Sequence, residues 1–118
     1  MADLVIKATD SATGAPYTIT VEKTGPDTAN LHVSEGGAKP TDNVYQLHSI
    51  REVGPDEMQG ETSAMFQTPE ITVGVTGTGF TISVTHMWFA PAPVTYLATP
   101  ATIASVRAWL ADAKFPPA

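Results

Sequence analysis

Residues 69–89, PEITVGVTGTGFTISVTHMWF, constrain the fold of this chain more than any other stretch. Two alternating runs flank Gly77-Thr78. A two-residue loop there fits a type II′ turn, because glycine at the first central position tolerates a positive φ. That loop fixes the pairing. Thr76 faces Gly79, Val75 faces Phe80, Gly74 faces Thr81, Val73 faces Ile82, Thr72 faces Ser83 and Ile71 faces Val84. Apolar pairs then share one face and polar pairs the other, and a slip of one residue destroys that separation. Burial of each Val, Ile or Phe contributes about 1.5–3 kcal/mol, against roughly 0.2–1 kcal/mol for a cross-strand pair, so the hairpin is expected to supply much of the core.

The second strand of the hairpin extends beyond its partner. Phe80, Ile82, Val84, His86 and Trp88 share the inward face, while Met87 and Phe89 end the outer face on apolar character. Something must cover them, either another part of this chain or another subunit. In Ala90-Pro91-Ala92-Pro93 the prolines cannot donate to a ladder, so regular pairing is expected to stop there.

The rest of the chain fits around this hairpin. With 118 residues, one β-rich domain over 1–118 is expected. Leu4, Ile6 and Ala8 share one face of a first strand over 4–9, and a loop follows over 10–16. Tyr17, Ile19 and Val21 point inward from a second strand, Gly25-Pro26-Asp27 turns the chain, and Leu31 and Val33 point inward from a third. Residues 35–43 read as a loop. Residues 44–53 are strand-like with apolar residues on both faces, as a doubly covered strand or a face-switching bulge would require. Residues 54–60 read as a loop and 61–67 as a further strand. After the prolines, 94–97 makes a short last strand. Thr99 as N-cap and Pro100 at the first helical position open a helix over 100–114. Its apolar stripe is Ile103, Val106, Trp109, Leu110 and Ala113, and Pro116-Pro117 prevents continuation.

The expected fold is therefore mainly β: a small bent sheet, sandwich or barrel of about seven or eight antiparallel strands, capped by one C-terminal amphipathic helix. This order resembles that of pleckstrin-homology-like domains, in which a terminal helix carrying a Trp plugs a bent sandwich. Trp109 sits at the matching place.

Composition removes several function classes. The chain has no cysteine, which excludes disulfides, thiolate nucleophiles and zinc–thiolate sites. A formal charge of −6 disfavours nucleic-acid backbones and anionic membranes, both of which attract clustered Lys and Arg. No apolar run approaches the ~20 residues of a transmembrane helix. The N-terminus has no basic and apolar signal segment, so a cytoplasmic location is expected, or a virion interior if the source is a phage.

His86 is the first candidate for chemistry. In an apolar pocket walled by Trp88 it would be a general base or acid; in a sealed core it would be held by a backbone carbonyl. Its nearest candidate carboxylate, Glu70, faces Thr85 in the deduced register and so looks the other way. His32 and His48 have no metal-ligand spacing with His86, and no metal site or cofactor is expected. Glu52, Asp56, Glu57 and Glu61 do not match an EF-hand and read as a solvated acidic loop. Gly74, Gly77 and Gly79 precede no helix or lysine and serve turns. Ser49, Ser63 and Ser83 lack a nucleophile-elbow motif.

The leading expectation is a non-enzymatic β-domain that binds a protein partner or self-associates, with Met87, Phe89, Pro91 and Pro93 at the interface. A phage or virion assembly protein is one specific form of it. The alternative is a small-molecule-binding barrel whose apolar pocket is lined by Phe80, His86, Trp88 and Tyr96, or a small enzyme using His86.

Overall fold

The structure, a computed structural model, describes residues 3–36, 41–63, 68–77, 79–85 and 93–118. Eight strands follow one another: β1 (Leu4–Asp10), β2 (Pro16–Gly25), β3 (Thr28–Glu35), β4 (Thr41–Gly54), β5 (Glu57–Glu61), β6 (Glu70–Thr76), β7 (Gly79–Thr85) and β8 (Val94–Leu97). One helix, α1 (Pro100–Ala113), ends the order. Each strand pairs antiparallel with the next, and β8 returns to β1, so the sheet closes into a barrel. The closing seam is short: Thr9 pairs with Leu97 and Asp10 with Tyr96, and the Ser11 amide adds a bond to the Thr95 carbonyl at 2.9 Å.

The β6–β7 hairpin has the register that its alternation dictates, from Thr76 opposite Gly79 to Ile71 opposite Val84. Gly77 has φ +57°, the positive value its turn position demands. Ile71, Val73, Phe80 and Ile82 are buried and Val84 packs against them. The core continues through Leu4, Ile6 and Ala8 of β1, Ile19 and Val21 of β2, and Leu31 and Val33 of β3. Closure leaves no free sheet edge along most of the strands, which removes the template for unwanted pairing.

β4 turns a corner. Its first half pairs with β3 and its second half with β5, and the register shifts between His48 and Arg51. Ser49 takes a left-handed φ of 53° at this bulge. The extra residue brings Leu47 and Ile50 to the same interior, although strict alternation would separate them. The Ile50 amide is then satisfied by the Asp27 carbonyl in the β2–β3 turn, at 2.9 Å.

Three expected boundaries shift. Residues 54–60 are not a loop: only Pro55 and Asp56 turn, with Asp56 at φ 57°, and Glu57–Glu61 is β5. Gly60 suggests a loop in sequence, yet it lies in the strand because a β-carbon there would approach Ile50 Cγ1 to 2.9 Å. Of the strand expected over 61–67, only Glu61 is paired; Thr62 and Ser63 are irregular, and 64–67 lie outside the described residues. The expected loop over 35–43 shortens, because Glu35 and Thr41 are already paired with each other.

Up-and-down order puts the β2–β3, β4–β5 and β6–β7 turns at one end, and α1 lies across it. Thr99 caps the helix by accepting from the Thr102 amide at 3.2 Å, with Pro100 starting the first turn. Ile103, Val106, Trp109 and Ala113 are buried as the stripe predicts, with Leu110 packed beside them. The helix stops at Ala113, and Lys114 adopts φ 52°, a left-handed cap. That reversal sends Phe115 back into the core, 6.0 Å from the Trp109 ring. Lys23 donates to the Ala113 carbonyl at 2.6 Å and lies 5.3 Å over the Phe115 ring, placing a cation at the negative helix end. The tail then pairs with β4: the Glu52 amide donates to the Pro116 carbonyl and the Ala118 amide to the Glu52 carbonyl. Pro117, which has no N–H, sits between these two contacts and loses nothing.

Candidate functional site

Of the residues expected to line a ligand pocket, Phe80 and Tyr96 lie in the barrel interior. Their rings stack at 5.3 Å and 21°, and both are buried. Tyr17 meets Tyr96 edge-on at 5.2 Å and 73°, so three aromatic rings lead from the core to the surface. Burial, followed by the charge of Glu35 and a hydrogen bond to it at 3.4 Å, raises the Tyr17 pKa. Burial also pushes Tyr96 up to about 12, with Tyr17, Asp10 and Tyr45 adding to it. Both phenols are thus held neutral.

At the outer end of this aromatic chain lies a cavity of about 640 Å³, bounded by Lys7, Thr9, Tyr17, Thr18 and Leu97 among others. Lys7 donates to the Thr18 hydroxyl at 3.0 Å along its rim. Leu97 is 44 % exposed. The cavity lies between β1, β2 and the segment from Leu97 to Thr99, and the outer wall formed by β1–β4 is ordered by register. Val5 is opposite Thr20, Thr20 opposite His32, and His32 opposite Val44, so these four make one row across four strands. Lys7, Thr18, Ser34 and Asp42 occupy the next row. Val5 is 57 % exposed and Val44 is 49 % exposed. Together with Leu97, beside Thr9 on β8, they are the large exposed apolar side chains among the described residues.

His86 and Trp88, and the expected interface residues Met87, Phe89 and Pro91, lie outside the described residues. Pro93 is exposed just before β8. Glu70 pairs across β6–β7 with Thr85 and accepts from Gln59 Nε2 at 3.0 Å. His32 is half-buried at the centre of the outer wall, whereas His48 is exposed at the β4 bulge with Nδ1 3.3 Å from Ser49 Oγ. The left-handed Ser49 backbone is explained by the bulge rather than by a nucleophile's geometry. Of the acidic residues around the β4–β5 turn, Asp56 pairs with Arg107 of α1 at 3.1 Å. Among the described residues, no group of three His, Asp or Glu is placed to hold a metal ion, and no buried polar side-chain atom lacks a partner. No helix among them is long and apolar enough to cross a membrane.

No protein-family model matches the chain, and neither does any curated protein or solved structure. The site must therefore be read from its own chemistry.

Sequence reasoning missed the outer wall. Val5 and Val44 are 39 positions apart, and each alone is an ordinary residue on a polar strand face. Only the combined register of three ladders brings them into one row.

Proposed function

We propose that this protein is a non-enzymatic β-barrel module that acts by binding protein, a partner or a second copy of itself, through the outer wall of β1–β4. The observation that carries this reading is the exposure of Val5, Val44 and Leu97 on otherwise polar outer strand faces, with Val5 and Leu97 on adjacent strands and Val44 three strands from Val5. Scattered single apolar residues need no explanation, but grouped ones amid a polar rim mark contact surfaces. Thr18, Thr20, His32 and Ser34 between them supply short polar groups with little conformational entropy to lose. A phage or virion assembly subunit is one form of such a module, in keeping with its small size and sparse charge. Comparative co-purification from the source cell tests the reading. The double variant Val5→Lys/Val44→Lys should lose a protein, or an untagged copy of the chain, that both the parent and an Arg107→Gln control retain. Recovery of the same set by all three forms would refute it.

The cavity beside Tyr17 supports a second reading, a site for a small ligand. Its volume falls within the ~300–1,000 Å³ of small-molecule sites, and it combines an aromatic ring, one cation and several hydroxyls. Amide shifts in a fragment screen should cluster at Lys7, Tyr17 and Leu97. A screen that shifts nothing there removes this reading.

A further inference from the structure

We infer that the cavity beside Tyr17 binds a small amphipathic carboxylate, its acid head held by Lys7 and Thr18 and its apolar body laid against Leu97, Ala98 and Pro16. The inference rests on the small-ligand reading above and names the class of ligand.

The cavity follows from where β8 stops. The β1–β8 ladder ends at Thr9 opposite Leu97, and Ala98 and Thr99 then lead away into α1. Leu97 is left 44 % exposed at that divergence, with Ala98 and Pro16 lining the same hollow. An apolar ligand body laid there removes this surface from water.

The head site follows from register. Lys7 is opposite Thr18 across β1–β2, and its ammonium donates to the Thr18 hydroxyl at 3.0 Å. Thr18 accepts in that bond, so its own hydroxyl proton is left to donate. An ammonium and a hydroxyl side by side are two donors for a carboxylate, and the bond from the cation is the stronger kind. Arg107 is neutralised by Asp56, and Lys23 is drawn to the end of α1, whereas Lys7 meets a neutral hydroxyl and keeps its charge for an anion. The neighbouring carboxylates do not occupy this place. Asp10 is opposite Tyr96 and Glu35 opposite Tyr17, on the inner face of the barrel, so the sheet stands between them and Lys7.

The chemistry selects the ligand. A phosphate dianion is matched by several cations or by the amides of a helix N-terminus, and Lys7 is the cation that lines this cavity. A chain of net charge −6 repels anions at long range, so the head alone is a weak attraction and the apolar body must supply the rest.

Amide NMR titration of the full chain over the millimolar range, with hexanoate, hexanol, hexylammonium and acetate at matched ionic strength, tests this. Hexanoate should move the amides of Lys7, Thr18 and Leu97 and bind about tenfold more tightly than hexanol or acetate. Lys7→Met should level hexanoate with hexanol, and Lys7→Glu should transfer the preference to hexylammonium. Lys114→Met removes the same charge at the capped end and should leave hexanoate binding within about twofold of the parent. Circular dichroism confirms the fold of each variant. Hexanoate binding that survives Lys7→Met unchanged overturns the inference, as does acetate binding as tightly as hexanoate. Hexanol that moves these amides as well as hexanoate removes the carboxylate and keeps the small-ligand reading. Silence of these amides toward every probe defeats both.

Discussion

The helix-capped end of the barrel and the outer wall of β1–β4 are built from the same strands, yet they leave their side chains in opposite situations. At the capped end, each distinctive residue is consumed by the fold. Trp109 and Phe115 fill the opening, Lys23 caps the helix and covers a ring, Arg107 reaches Asp56, and the tail uses both backbone groups of Glu52. On the wall, Val5 and Val44 face outward with no comparable duty. The difference separates residues that folding explains from residues that it leaves over, and the proposed binding falls on the second set.

Mutations should respond unequally at the two places. The largest effect is expected at the cap. Trp109→Ala should cost about 3–5 kcal/mol in denaturant unfolding, since it opens a cavity beneath the helix. A loss under about 1 kcal/mol would show that α1 is an accessory, and the contrast between the two regions would collapse.

The aromatic chain under the wall gives the next effect. Tyr96 holds its proton more tightly when folded, at a pKa of about 12, than the ~10 of an unfolded tyrosine. The folded state therefore binds more protons between those values, and stability falls as pH rises. The contribution is fully present below pH ~10 and is lost as the pH climbs through ~12, by an amount on the order of 2 kcal/mol. Alkaline titration followed at the tyrosinate absorbance should show ionisation of Tyr96 coincident with unfolding. Ionisation near pH 10 in a folded protein would mean that Tyr96 is open to water.

A smaller effect is expected from Lys23→Met, which keeps most of the side-chain packing but loses the bond to the Ala113 carbonyl and the cation over Phe115. About 1 kcal/mol should be lost in thermal unfolding. The smallest effect on stability belongs to the wall. Val5→Thr and Val44→Thr should each change stability by less than about 0.5 kcal/mol, because the exposed valines bury little within the chain. Their effect should appear in association alone. If either variant unfolds the protein, the valine belongs to the fold and the contrast is wrong there.

Much of the cap and the central hairpin was legible in sequence, because each is governed by local rules. A two-residue turn sets every pair from Thr76–Gly79 to Ile71–Val84, and the Thr99-Pro100 start with a 3.6-residue stripe identifies the buried face of α1. The misplaced stretches depend on distant contacts. Gly60 looks like a loop glycine until Ile50 is packed against it, and Ile50 reaches that position only through the bulge at Ser49. Pro116 and Pro117 end the helix by local chemistry, but their pairing with Glu52 depends on where β4 lies. The wall was invisible for the same reason. Its rows exist only after β1, β2, β3 and β4 are in register, whereas attention in the sequence falls on the conspicuous aromatic run at 86–89, which lies outside the described residues.

The central claim is that the outer wall, and not the helix-capped end, is where this protein meets other protein. Site-specific photo-cross-linking compares the two directly, with the probe at position 44 on the wall or at the exposed position 104 on α1. The account predicts discrete protein adducts from position 44 and none of these from position 104. Adducts from position 104 with none from position 44 would contradict it.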